Sequence, residues 1–276
     1  MKNPHTQIKT CAWLLACVIL LTTDLTAQLL TAPIPSLHTA TGRTALTELS
    51  CTANPALSLM PDSSFIGALA VPSRFGMQEL QLGSLLMGSR ITDNIGVIGG
   101  AGGLSNELYT EFSGILGGSM RLGTDFVVGI SAEYSRSTFT NFSSVSMLQI
   151  NTGALLTISP VLKAGVSVSN ILRGSYDPES RLIRQTIRLG LGVELLPTLL
   201  VDADASIALS EYSGVTLAAR YDALEAVRCR LAVSTAPRMA ELSVALRPLN
   251  AITVVATGHY HDVLGLSEQL GVVWYW

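Results

Sequence analysis

The chain of 276 residues has little of what a soluble enzyme displays. Charged residues make up 13% and aromatic residues 6%, against 48% apolar residues. Of its four cysteines, Cys11 and Cys17 fall near the start, leaving Cys51 and Cys229, read as two lone thiols although an exported protein could oxidise them. Beyond the start no stretch offers the roughly 18 uninterrupted apolar residues of a membrane-spanning helix. A net charge of −3 leaves no electrostatic footprint for nucleic acid. Gly99-Gly100-Ala101-Gly102-Gly103 is followed by neither Lys-Ser/Thr nor a helical pattern, so it is not a phosphate loop. His259 and His261 share a strand face, but no cysteine or carboxylate at matching spacing joins them, and lumen or loop histidines explain them better than zinc does. No catalytic set, metal or cofactor is expected.

What is present begins with an export signal. Lys2 and Lys9 precede Cys11–Thr22, an apolar core too short to span a bilayer, which predicts a signal peptide over 1–27 with cleavage before Gln28. Leu14-Leu15-Ala16-Cys17 resembles a lipoprotein box, but apolar residues continue beyond Cys17 and place it inside the apolar core.

From Ser64 on, turn signals divide the chain into fourteen strand-like segments: 64–72, 77–88, 94–102, 107–120, 125–136, 145–158, 161–172, 181–195, 198–209, 213–222, 225–235, 238–247, 250–260 and 266–276. Many alternate. Phe126, Val128, Ile130, Ala132 and Tyr134 oppose Asp125, Val127, Gly129, Ser131 and Glu133, and Val201, Ala203, Ala205 and Ile207 oppose Asp202, Asp204 and Ser206. The same holds for Ile183, Ile187, Leu189, Leu191 and Val193 against Arg184, Arg188, Gly190, Gly192 and Glu194. The last strand sets Leu270, Val272, Trp274 and Trp276 on one face and ends on an aromatic. Apolar stripes outside, polar stripes inside and a closing aromatic strand predict an all-β, transmembrane, up-and-down antiparallel barrel of about fourteen strands. Tight turns are expected at 121–124, 159–160, 196–198, 221–223 and 247–250, with longer connections at 137–144 and 173–180. Even strand number and alternating turn length place both termini on the periplasmic side of a Gram-negative-like outer membrane.

Residues 28–63 are not strand-like. They contain Thr41-Gly42-Arg43-Thr44-Ala45 and, just before the first strand, Asn54-Pro55-Ala56-Leu57. Pro55 fixes φ and the Asn54 side chain can bond nearby backbone, which makes a firm turn. Asn54-Pro55-Ala56-Leu57, so placed ahead of fourteen strands, resembles the signature of the long-chain fatty-acid transporter (FadL-like) barrels and of the related PorV/PorQ-type barrels of type IX secretion. The resemblance implies that 28–63 folds into the lumen as a hatch or plug, followed by a barrel over 64–276. It implies passive transport of small hydrophobic molecules such as fatty acids, with lateral exit at a strand kink. Gly96, Gly99, Gly100, Gly114, Gly117 and Gly118 are the candidate kink. The long external loops with which that family captures its substrate are missing here. The alternative is a secretion or envelope-assembly accessory that binds protein partners.

Inward positions on strands 8 to 13 carry Arg184, Arg188, Glu194, Asp202, Asp204, Arg220, Arg228, Arg230, Glu241, His259 and His261. Opposite charges on neighbouring strands can pair across the ladder, which predicts a salt-bridged inner wall touching the hatch near Asn54. The implied partners are outer-membrane lipid, the barrel-assembly machinery and a hydrophobic small molecule.

Overall fold

The computed structural model describes residues 37–61, 63–141, 144–172, 185–208 and 213–276. The expected leader 1–27, with Ile183 and Arg184, lies outside them. Two short 3-10 helices, Glu48–Thr52 and Pro55–Leu59, precede β1 Phe65–Ser73, β2 Gln81–Thr92, β3 Ile95–Ser105, β4 Tyr109–Leu122, β5 Phe126–Phe139, β6 Val145–Ser159 and β7 Leu162–Ser169. Then come β8 Thr186–Leu196, β9 Leu199–Ala208, β10 Ser213–Leu224, β11 Val227–Thr235, β12 Arg238–Leu249, β13 Ile252–His261 and β14 Gly265–Tyr275. Each strand pairs antiparallel with the next, and β1 pairs with β14, from Phe65 opposite Tyr275 to Ser73 opposite Glu268. The barrel is closed.

All fourteen expected segments are strands, with differences at their ends. β2 starts at Gln81 instead of 77 because Phe75 and Gly76 both take positive φ (56° and 75°) and an Arg74–Met77 bridge closes the turn. The turn expected at 221–223 is displaced to Glu225-Ala226. Tyr221 and Asp222 stay in the ladder opposite Cys229 and Arg228, and Asp222 pairs with Arg220 at 3.0 Å along the strand. The other tight turns sit within a residue or two of their expected positions and share one end of the barrel, termed here the tight-turn end.

Alternation decides the two faces. Leu85, Leu116, Ile130, Leu191, Leu242 and Leu270 are each more than half exposed and all point outward. A continuous apolar exterior of this kind far exceeds the few hundred Å² that a soluble monomer tolerates, and it suits hydrocarbon around a ladder with no open edge. Trp274 and Trp276 close this face at the tight-turn end, their rings 5.7 Å apart.

The expectation of a polar interior holds only in part. Asp202, Asp204, Arg230, Glu241, Ser243, Thr257 and His259 are buried on the inner face of β9–β13. On β1–β4, however, the inner face carries Phe65, Leu69, Val71, Leu82, Leu86, Ile98, Leu104 and Ile115, which form one buried apolar cluster with Leu49, Cys51, Ala56 and Leu57 of the N-terminal segment. These strands are largely apolar on both sides, interrupted inward by Ser84, Arg90, Glu111, Ser113 and Ser119, so inward burial there comes mainly from packing.

No register shift marks the expected kink in β3 and β4. The β3–β4 ladder runs without a shift from Ile95 opposite Met120 to Ser105 opposite Thr110, straight through the glycines. A glycine lacks a side chain but keeps both ladder groups, so pairing survives. Among the described strands, shifts elsewhere lie at hairpin ends. The exception lies in β1, where Ala70 faces Leu270 and Ser73 faces Glu268, three residues advancing against two, with Pro72 unable to donate.

Arginine at Leu242, midway along β12 on the outer face, is expected to destabilise the barrel by about 2–4 kcal/mol in phospholipid vesicles. Denaturant titration of L242R against the parent chain reads this. An unchanged midpoint would show that this face does not meet acyl chains.

Candidate functional site

Residues 37–59 meet the inner wall at two places. The first is a turn over Thr39–Ala45, closed by Gly42 N–H to the Thr39 carbonyl (3.2 Å) and Ala45 N–H to the Gly42 carbonyl (3.1 Å), with Gly42 at φ 61°. Its donors converge on two inward aspartates of β9. Asp202 accepts from Thr39 Oγ1 (2.6 Å), Thr41 Oγ1 (2.5 Å), Thr44 N–H (2.9 Å) and Thr44 Oγ1 (2.9 Å). Asp204 accepts from Ala40 N–H at 2.6 Å. Both carboxylates are buried, and hydrogen bonds to an ionised acceptor are the stronger kind.

The opposite side of this turn is held by cations. Arg220 donates to the carbonyls of Arg43 (3.2 Å) and Ala45 (2.9 Å), and Arg188 donates to that of His38 (3.3 Å). Arg230 reaches the Leu37 carbonyl and Glu241, whose second oxygen accepts Leu37 N–H at 2.8 Å. Arg43, from the segment itself, pairs with Glu194 at 2.7 Å. Arg220 and Arg230 face each other in the β10–β11 register, and their separate carbonyl partners keep these like charges on different tasks.

The expected charge wall is therefore assembled from the right residues with different partners. Glu241 does bridge strands, to Arg230 and to His259, whose Nδ1 lies 3.3 Å away. Asp202 and Asp204 instead bond the N-terminal turn and, among the described residues, no arginine, because Gly192 and Gly190 stand opposite them in register and leave room for that turn. Arg228 stands opposite Asp222, at the edge of the network. His259 Nε2 lies 3.2 Å from Gln269 Oε1, while His261 Nδ1 accepts Val263 and Leu264 N–H. No group of three potential metal ligands occurs among the described residues.

The second place is Asn54-Pro55-Ala56-Leu57. It meets the wall away from the charges, which corrects the expected contact. Asn54 is fully buried. Its Oδ1 caps the helix Pro55–Leu59 by accepting Ala56 N–H at 3.0 Å, and Pro55 fills the first helical position. Its Nδ2 donates to the carbonyls of Ala40 (2.7 Å), Val166 (3.2 Å) and Ala154 (3.4 Å), tying both halves of the segment to β6 and β7. Ser58 Oγ reaches Ser119 at 2.7 Å, and Arg90 donates to the Leu59 carbonyl at 3.0 Å.

Close approach of the segment is possible because side chains are missing from the wall. A Cβ at Gly153 would overlap Asn54 Oδ1; one at Gly129 would overlap the Pro55–Ala56 peptide; and one at Gly165 or Gly96 would meet the backbone of Ala40 or Ser58. Sequence reasoning missed this inner track of glycines, together with Thr39, Thr41 and Thr44. The available signal was Gly190 and Gly192 at inward positions one strand from Asp202 and Asp204. Cys51 is buried within the segment, its thiol pushed up to about 12 by burial, whereas Cys229 lies on the outward face of β11. The two thiols are on opposite sides of the wall.

With this geometry established, comparison with known proteins speaks to the fold. No family model and no curated protein matches the chain. Among solved structures it is similar to the Pseudomonas putida toluene transporter TodX (TM-score 0.62, 11% identity, 86% of this chain and 96% of that one). It is also similar to the monoaromatic hydrocarbon channel CymD (0.61, 9%, 87% and 97%) and to a Pseudomonas aeruginosa FadL homologue (0.58, 11%, 88% and 99%). These are the structures of FadL-family barrels, shared at low identity.

Two outcomes test the docked segment. Alanine at Asp202 strands several buried donors, so hydrogen exchange over 37–45 should accelerate on the order of 100-fold, equivalent to about 3 kcal/mol; Gly153→Ala should do the same over 50–58, while Gly83→Ala, which meets open space, should not. Exchange unaltered in D202A would show that these bonds hold nothing. Burial drives the His38 imidazole down to about 3. The unfolded chain then binds a proton below about pH 6.5 that the folded form refuses. Docking should weaken as pH falls from about 6.5 towards 3, and His38→Gln should flatten that slope in exchange measured at successive pH values.

Proposed function

We propose that this chain is a passive channel for small hydrophobic molecules in the bacterial outer membrane, with its N-terminal segment, residues 28–63, as the hatch. The observation that carries this reading is the apolar inner face of β1–β4. A water-filled porin lines its interior with polar groups, whereas Leu69, Val71, Leu82, Leu86 and Leu104 pack into an apolar cluster that an apolar molecule would have to part in order to pass. The fold shared with a toluene transporter and a hydrocarbon channel supports the same reading. Hydrogen bonds to Asp202 and Asp204 and from Arg220 and Arg230 would hold the hatch, and Asn54 would fix its inner turn. Lipid would contact the outer stripes, and the barrel-assembly machinery would read the terminal strand bearing Trp274 and Trp276. The secretion-accessory alternative draws no support from these likenesses.

The short connections among the described residues leave no capture groove of the long-loop kind, so entry would be directly into the barrel mouth. Liposomes containing the mature protein should take up toluene and a labelled fatty acid faster than empty liposomes. Deleting residues 28–60 should also admit small sugars, because nothing would then close the lumen. Uptake of either hydrophobic probe no faster than in empty liposomes would refute transport.

A further inference from the structure

Beyond the hatch lies a polar strip that none of the contacts above uses. On the inner face of β5, Gly129 lies beneath Pro55 and Ala56, and the next inward residues are Ser131, Glu133 and Ser135. At about 3.3 Å per residue, Glu133 is about 13 Å further from the tight-turn end than Gly129. All three side chains are more than nine-tenths buried. Ser131 Oγ, Ser135 Oγ and Glu133 Oε1 nevertheless have no hydrogen-bond partner, although buried polar groups are normally satisfied. Gln149 stands directly opposite Glu133 on β6.

On its other side Glu133 stands opposite Ile115, which belongs to the apolar cluster of β1–β4. An unsatisfied carboxylate therefore adjoins an apolar surface. A second carboxylate, Glu111 of β4, lies on the same inner face, opposite Ser137, the inward position next to Ser135. An acceptor with this surrounding welcomes a hydrogen-bond donor and repels an anion.

We infer that Glu133, with Ser131 and Ser135, is a head-group site for hydrophobic molecules bearing a hydroxyl or amine, placed between the outer mouth and the hatch, and that it disfavours carboxylates. The inference rests on the channel reading and narrows its substrates to alcohols, phenols and amines with an apolar body. The body lies along Ile115 and Leu104 while the head donates to Glu133 and exchanges hydrogen bonds with the serines.

Benzylamine, benzyl alcohol and benzoate share one ring and differ in the head. Calorimetric titration of the detergent-solubilised full barrel should give benzylamine and benzyl alcohol at least about ten-fold tighter binding than benzoate. Glu133→Gln, nearly the same size, should bring benzylamine and benzoate within about two-fold, and S131A/S135A should weaken benzyl alcohol several-fold. Benzoate binding as well as the amine, no binding of either, or an amine preference retained in E133Q would overturn the site. Toluene influx into liposomes is read separately: influx without head-group discrimination sinks this site alone, and its absence sinks the channel.

Discussion

The constraint on which this structure depends is closure. Fourteen strands carry leucines, isoleucines and valines outward, and hydrocarbon offers no hydrogen bond to a free strand edge. The β1–β14 ladder removes that edge by pairing Phe65 through Ala70 with Tyr275 through Leu270. Register then follows from side-chain alternation, since a one-residue slip would turn Asp202, Asp204, Glu133 and Glu241 into lipid. Among the described strands, the register shift away from a hairpin end falls at Pro72, within the seam where the first and last strands meet.

Closure creates an interior, and the interior must be satisfied. Its two sectors do this differently. Along β1–β4 apolar side chains pack against Leu49, Cys51, Ala56 and Leu57, so the N-terminal segment is held there by burial. Along β8–β13 the same segment is held by charge-assisted hydrogen bonds, with aspartates taking its donors and arginines its carbonyls. Turn Thr39–Ala45 supplies both within seven residues: three threonine hydroxyls and the N–H groups of Ala40 and Thr44 point at the aspartates, while the carbonyls of Arg43 and Ala45 point at Arg220.

Glycine sets how closely these surfaces meet. Gly129, Gly153 and Gly165 remove Cβ atoms where the segment crosses the wall, and beyond that crossing the β5 face changes at once to Ser131, Glu133 and Ser135. One strand thus carries the seat of the segment and, further along, a polar strip with unsatisfied groups beside an apolar surface. A molecule entering from the mouth would meet the strip before the segment.

Much of the architecture was legible in the residues. Turn residues marked the strand number and all but one of the tight turns, and period-two alternation marked the outward face, because both are local properties of the chain. Asn54-Pro55 announced a capped turn for the same reason, its bonds being made to the next residues. What the inward groups bind is not local. Asp202 and Thr41 are far apart in the chain and meet across the barrel, the apolar inner face of β1–β4 looks in sequence like more lipid-facing strand, and of the glycines read as a kink only Gly96 joins Gly129, Gly153 and Gly165 in seating the segment. Strand composition cannot tell an apolar residue that faces lipid from one that faces a folded-in segment. That distinction exists only once the sheet has closed and decided which side is the inside.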